Sequence, residues 1–444
     1  MPNIAVHIDS RETIKPSSPT KNDDKSYRFC FMDQMMPPHY ITVILFYDTS
    51  DDGKRLPRLK ESLSETLTSF FPLAGRIKDD TSIDCNDEGI LYVEAQADCS
   101  MHDFLKEPDI QLLNKLLPCK KHPTEPMTEL PQVALQVTVF TCGGLSIAGC
   151  YNHKIMDGAS VGCFLKKWAA NLSGCHNGVV HPDLANASRT FPPGENITPF
   201  TPEFLPSPTT NMCILRRFVF DATALQVLLE KARSEQVPNP TRTEVVSAFI
   251  WKHTMTKTIK SNHGSGYPIG KSSFLTHFVN VRKHASLPKG SIGCLILIAS
   301  AMVDLSNERD QELDRLVSRV HDAISSMDAE YVKTFQGEGA LEAMWKNIEI
   351  TLFDKEAQFT CSSWCKLGLD EVDFGWGKPI WVSPFGEPPS LMENNSLILM
   401  DANGGKDIEA WLVMQEKQMV ALEHDEEFLA FATPAVGVPI STSC

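Results

Sequence analysis

The apolar positions along the chain change period several times, and each change predicts an element. Ile41 to Tyr47 (Ile-Thr-Val-Ile-Leu-Phe-Tyr) is a continuous β-rich apolar run, which predicts a buried strand. Leu59, Leu63, Leu67 and Phe70 then recur at helical spacing with Lys60, Glu61 and Glu65 opposite, until Pro72 and Gly75 break the pattern. That predicts an amphipathic helix lying on a sheet. From Val133 to Phe140 the residues Val133, Leu135, Val137 and Val139 alternate with Ala134, Gln136 and Thr138; Cys142-Gly143-Gly144 supplies a turn, and Leu145, Ile147 and Gly149 resume the alternation. A hairpin is expected here, its second strand ending at Tyr151. It delivers His153, in the segment His153-Lys-Ile-Met-Asp157-Gly158, to a sheet end, and Ser160 to Ala169 then reads as a helix.

From about Asn186 to Asn211 the pattern stops and prolines gather (Pro192, Pro193, Pro199, Pro202, Pro206, Pro208), which marks a linker. Periodicity returns near Cys213. Thr241-Arg-Thr-Glu244 after Pro240 is a capping box opening a helix through Val245, Phe249 and Trp251. A strand is expected over Phe274 to Arg282, a charged helical stretch over Asp304 to Asp328, and strands at Ile380–Val382 and Leu397–Met400. Both halves mix helix and strand, so the fold class is α/β. A length of 444 residues suits two domains. The expected division is 1–188 for the half that carries His153, 189–211 for the crossover linker, and 212–444 for the second half.

Composition narrows the partners. With 42% hydrophobic and 22% charged residues, the chain can bury large cores. A formal net charge of −15 argues against holding nucleic acid or an anionic membrane through the overall field, although a local basic patch is still needed if the ligand is anionic. The 13 cysteines are irregularly spaced and read as reduced thiols. No leader-like segment opens the sequence, and no stretch approaches the length of a membrane span, which places the chain in the cytosol. The Asn-x-Ser/Thr triplets at Asn171, Asn186, Asn196 and Asn394 are then chance matches.

Chemistry concentrates in two segments. His-x-x-x-Asp alone is weak, since roughly one match is expected by chance in such a chain; the following Gly158 and the position between strand and helix add weight. A neutral imidazole can take a proton from a hydroxyl at neutral pH. Asp157 could orient that imidazole, as in a triad, or pin the loop by pairing with an arginine, and the spacing leaves both open. The second segment is Asp373-Phe-Gly-Trp-Gly-Lys-Pro379, which reads as a tight turn packing Phe374 and Trp376 into a core. Other templates fail. Gly270-Lys271-Ser272 lacks the first glycine of a phosphate loop, no Gly-x-Ser-x-Gly elbow lies near His153, and Cys361 and Cys365 lack further zinc ligands, so no metal is assigned.

The two segments together, some 215 residues apart from Gly158 to Asp373, resemble those of the plant BAHD acyltransferase family. Shorter matches fall in the same order: Phe71-Pro-Leu-Ala-Gly-Arg76, Cys142-Gly-Gly144, Pro240-Thr-Arg242, Asn280-Val-Arg282 and Ser362-Ser-Trp364. Ile14-Lys-Pro-Ser-Ser-Pro-Thr20 and Ser362-Ser-Trp-Cys-Lys366 look most like the subgroup of vinorine synthase, salutaridinol acetyltransferase and deacetylvindoline acetyltransferase.

The resemblance implies two similar domains like chloramphenicol acetyltransferase, each a mixed sheet with flanking helices. A solvent channel would run between them, and residues 360–385 would cross back to complete the first sheet. It implies that His153 deprotonates an acceptor hydroxyl, which attacks the thioester of acyl-CoA directly. Asp157 would be structural and paired with Arg282, supported by Gly158 and by Asp373, Gly375, Trp376 and Gly377 away from the reacting atoms. Trp364, beside Ser362, would donate its indole N–H to the oxyanion; the first residue of that triplet is often Thr in the family and is Ser here. Acyl-CoA, as acetyl-CoA, would be a co-substrate rather than a bound cofactor, with Lys252, Lys271 and Lys283 as candidates for its phosphates. The acceptor would be a plant alkaloid or terpenoid alcohol, and the protein a monomer. The competing readings are transfer of a longer acyl group to sugar esters or amines, a non-catalytic binding protein on the same scaffold, and a hydrolase that forms an acyl-enzyme.

Overall fold

The computed structural model describes residues 4–37, 39–49, 55–108, 110–195, 197, 213–262, 272–353, 358–386, 395–435 and 437–438. In chain order its strands are β1 (Val6–Ile14), β2 (Ser26–Arg28), β3 (Tyr40–Tyr47), β4 (Arg76–Asp79), β5 (Ser82–Asp84), β6 (Ile90–Ala97), β7 (Val133–Val139), β8 (Leu145–Asn152), β9 (Cys213–Phe220), β10 (Ser272–Asn280), β11 (Ile296–Asp304), β12 (Gln358–Ser363), β13 (Trp381–Ser383), β14 (Ser396–Ala402), β15 (Asp407–Gln415) and β16 (Thr433–Pro434). Two large mixed sheets result. The first has the order β1-β6-β7-β8-β3-β13, with β6 and β7 parallel; the second has the order β11-β10-β12-β14-β15-β9-β16, with β10, β12 and β14 parallel. A small sheet, β2-β5-β4, lies beside the first.

The first sheet follows from the pattern of the chain. All eight residues of β3 are buried, as a strand covered on both faces requires. The alternating run 133–139 pairs with 145–152 through the turn at Cys142–Gly144, where Gly143 takes φ 86°. The helix Arg55–Ser69 buries Leu59, Leu63 and Leu67 together with Phe70, and Trp168 of the helix Gly158–Ser173 donates its indole N–H to Leu59 O at 3.1 Å. Each such leucine contributes about 1.5–3 kcal/mol relative to an exposed position.

The second sheet carries its own core. The helices Ala222–Ala232, Arg242–Asn262 and Leu313–Ser325 pack Leu225, Val245, Phe249, Leu316 and Val320 with Leu275, Phe359, Leu397 and Leu412 of the strands. The capping box is present: Thr241 N–H donates to Glu244 Oε2 at 2.6 Å, and Glu244 N–H to Thr241 Oγ1 at 3.3 Å. Of the 360–385 segment expected to cross back, only Trp381–Ser383 pairs with the first sheet, antiparallel to β3, whereas residues 358–363 lie between β10 and β14 in the second. The charged stretch 304–328 forms a helix only over Leu313–Ser325, preceded by a 3-10 turn at Glu308–Gln311. Among the described residues no helix is long and apolar enough to cross a membrane.

Candidate active site

His153 follows directly on the end of β8. Asn152 anchors that end, its backbone N–H donating to Gln132 O and its side-chain amide to Gln132 Oε1 at 2.7 Å. The chain then curls into one turn, with Ile155 and Met156 N–H donating back to Asn152 O. His153 N–H donates to His39 O at 2.9 Å, which ties the imidazole to the start of β3. The ring is half-buried. Its Nδ1 lies 3.6 Å from Cys294 Sγ, and the His39 ring stands edge-on at 4.9 Å between centroids. Burial lowers the imidazole pKa below its ordinary value, against the opposing pull of the Asp157 charge, so the ring is neutral at pH 7.

Asp157 does not touch that ring. Its Oδ1 accepts the Ser160 N–H at 2.9 Å and so caps the helix Gly158–Ser173. Both carboxylate oxygens receive Arg282, Nη1 to Oδ2 at 2.6 Å and Nη2 to Oδ1 at 2.9 Å, in a bidentate fork. Leu295 N–H adds a fourth bond to Oδ2 at 3.1 Å. Burial alone would raise the Asp157 pKa, but the Arg282 charge and these hydrogen bonds outweigh it and hold the carboxyl below the ordinary aspartate value. Arg282 also donates to Ser291 O, Gly293 O, Ser160 Oγ and Asn280 Oδ1. The pair therefore joins the helix start of the first half to the loop between β10 and β11 of the second.

A further buried acid stands behind that loop. Asp33, in the short helix Phe31–Met35, accepts Cys30 N–H at 2.8 Å and Cys294 N–H at 2.7 Å, and burial raises its carboxyl pKa to about 6. His39, Asp33 and Cys294 carried no sequence signal. His39 lies 114 residues before His153 and Cys294 lies 141 after it, so only the strand pairing brings them together.

The other expected residues are spread more widely. The Trp364 indole N–H is engaged by Ser362 Oγ at 3.1 Å, and among the described residues no hydrogen bond joins Trp364 to His153. A Cβ on Gly158 would lie 2.7 Å from Leu367 Cδ1, so the bare backbone there lets residue 367 pack on the helix start. Asp373 Oδ1 accepts Gly375 N–H and Gly377 N–H at 2.7 and 2.9 Å, and those glycines take φ 98° and 107°. Phe374 and Trp376 stack at 5.5 Å and meet Tyr47, while Phe374 also meets Trp168 edge-on at 5.0 Å. Tyr47 and Tyr40 are opposite ends of β3, so this segment packs at the far end of the strand that begins beside His153. Lys252 pairs with Glu312 at 3.4 Å on the outer helices, Lys283 is exposed next to Arg282, and Lys271 lies outside the described residues.

The arrangement offers a neutral imidazole at the seam of two sheets, with the Asp157 carboxylate locked to an arginine. A family model described as the Transferase family matches residues 4–429. Akuammiline synthase 2 of Alstonia scholaris is 37% identical over 445 residues, with 97% of each chain covered. Epi-neemfruitin B 7-O-acetyltransferase of Melia azedarach is 38% identical, covering 96% of this chain and 98% of its own. The crystal structure of vinorine synthase superposes with a TM-score of 0.82 at 29% identity, over 98% of this chain and 99% of that one. With the motifs at His153 and Asp373 and the two-sheet fold, these matches establish that the chain belongs to the Transferase family of BAHD acyl-CoA-dependent O-acyltransferases.

Proposed function

We propose that this chain moves an acetyl group from acetyl-CoA to a hydroxyl of a bulky alkaloid or terpenoid, with His153 as the general base. The observation that carries the reading is the Asp157–Arg282 fork beside an uncharged His153. With its carboxylate committed elsewhere, the site has a free base but no triad acid. The acceptor oxygen loses its proton to His153 and attacks the thioester carbonyl carbon. The tetrahedral intermediate collapses as the carbon–sulfur bond breaks, and the CoA sulfur takes the proton back from His153. Trp364 Nε1–H, once turned from Ser362 Oγ, is the expected donor to the oxyanion. The names of the relatives point to acetyl as the group and to polycyclic plant alcohols as acceptors.

The same reading has the donor and acceptor meet at His153 from opposite mouths of a channel between the sheets. It divides the chain at the 189–211 linker, with residues 381–383 returned to the first domain, and places a monomer in the cytosol. The test is a screen of acetyl-CoA and longer acyl-CoAs with the purified full chain against polycyclic alkaloid and limonoid alcohols, read by product mass. One added acetyl group on such an alcohol, and no acyl adduct on the protein after incubation with donor alone, is expected. An acyl-enzyme adduct would overturn direct transfer, and turnover only with longer donors would overturn the acetyl assignment.

A further inference from the structure

The loop Ser291–Leu295 is held more firmly than a connection between two strands needs. Asp33 Oδ1 receives the Cys294 N–H, Asp157 Oδ2 receives the Leu295 N–H, and Arg282 Nη2 donates to Gly293 O. Ser160 Oγ donates to the same Gly293 O at 3.1 Å and accepts Gly293 N–H at 3.2 Å, and Arg282 Nε donates to Ser291 O at 2.9 Å. Gly293 sits at φ 147°, where a Cβ would come to 3.1 Å from Asp33 Oδ1. Two buried carboxylates and a buried guanidinium thus aim a single short loop. The side chain at its centre is Cys294, 1% exposed, with Sγ at 3.6 Å from Nδ1 of His153.

We infer that Cys294 is a positioning residue for His153: its thiol sulfur accepts the Nδ1 proton, so the neutral imidazole is held as the Nδ1–H tautomer with Nε2 free to take the acceptor proton. This rests on the base assignment above and deepens it. A base that works through Nε2 must carry its proton on Nδ1, and something must favour that tautomer. In a triad a carboxylate does so. Here the carboxylate at the right distance in sequence, Asp157, is taken by Arg282, and through Leu295 and Gly293 it orients the loop that presents the thiol instead.

A neutral acceptor has a different consequence from a carboxylate. Burial, with the Asp157 and Asp33 charges, pushes the Cys294 thiol pKa well above its ordinary value, so the sulfur carries no charge with which to stabilise an imidazolium. The other groups around the ring are His39 edge-on, His122 stacked on His39 at 5.7 Å, and Lys121, whose charge disfavours protonation; the Asp157 charge favours it, as do the carbonyls of His153 and Met156, which accept from the ring beside the thiol. The thiol therefore favours one tautomer without raising the basicity of the ring.

The test is nitrogen NMR of the full chain labelled with 15N-histidine, with His153 assigned by loss of its signals in His153→Gln, and requires no acceptor substrate. The wild type is expected to show the Nδ1–H tautomer. Cys294→Ser should keep it, Cys294→Ala should lose the preference, and Cys294→Asp should raise the His153 pKa. An Nε2–H tautomer in the wild type, or no change of tautomer in a folded Cys294→Ala, would overturn the inference. The two readings fail separately. If tautomer control is seen but His153→Ala turns over normally, the base assignment falls and the Cys294 contact stands.

Discussion

Two buried arginine–carboxylate pairs lie at the seam between the sheets, and they are built differently. At the site, Asp157 receives two bonds from Arg282 and two more from the N–H groups of Ser160 and Leu295. At the other, Glu409 of β15 receives Arg217 of β9 at 3.1 Å and the Trp381 indole N–H at 3.3 Å. Arg217 there lies over the rings of Trp381 and Trp411, at 5.0 and 5.7 Å, and spends its other arm on Gly437 O. The Asp157 pKa is lowered despite burial, while burial raises that of Glu409 and Arg217 only partly offsets it. In both pairs burial pushes the carboxyl up, and only at Asp157 do the arginine charge and the hydrogen bonds together outweigh it. Asp157 is a four-bond ionic knot that joins the start of the helix Gly158–Ser173 to the loop before β11. Glu409 and Arg217 form a softer latch, cushioned by aromatic rings, that clips the edge strand β13 to the second sheet.

Breaking the first pair should cost most. Arg282→Ala leaves a carboxylate buried and unpaired, and a loss of about 3–5 kcal/mol is expected, read from the urea midpoint. Arg217→Ala should cost less, about 2 kcal/mol, because Glu409 can take up a proton when its partner goes. Equal losses would erase the distinction. Acid titration separates the pairs by sign. The stabilisation from Asp157 is complete above the ordinary aspartate value and lost as the pH falls through its depressed folded value. Glu409 is the reverse: its ionisation costs stability above its raised folded value, and that cost fades as the pH falls toward the unfolded value of 4.5. Glu409→Gln should therefore flatten stability against pH above 4.5, whereas Asp157→Asn should flatten it below about pH 4, the ordinary aspartate value. Parallel curves for both variants would contradict the assignment.

The smallest effect is expected far from either pair. Gly377→Ala forces a side chain at φ 107° and should cost about 1–2 kcal/mol, with kcat unchanged on the confirmed substrate. A drop in kcat beyond tenfold without loss of Tm would show that the Asp373–Gly377 turn reaches the chemistry.

Local pattern made much of this legible. The alternation at 133–139 and 145–151 places the hairpin, and Leu59, Leu63 and Leu67 place the helix beside it, because both periods are properties of one element. The helix after His153 starts at Gly158 rather than Ser160 because Asp157 is its cap, a role that competes with any triad role. The Asp157–Arg282 pairing is legible through the family resemblance and not from spacing. Sheet membership was harder to read: the runs at 358–363 and 381–383 look alike as strands, yet they pair in different sheets, since pairing depends on partners hundreds of residues away. Cys294 and His39 were invisible for the same reason. A cysteine in an apolar run reads as packing until the register sets its sulfur against an imidazole.

The central claim is that His153 is the base and acts with Asp157 committed to Arg282. Its most direct test is kcat/KM of His153→Ala against wild type with acetyl-CoA and the acceptor found by the screen, in protein of unchanged Tm. The account predicts a fall of about 10²–10⁴-fold. Turnover within a few-fold of wild type would contradict it.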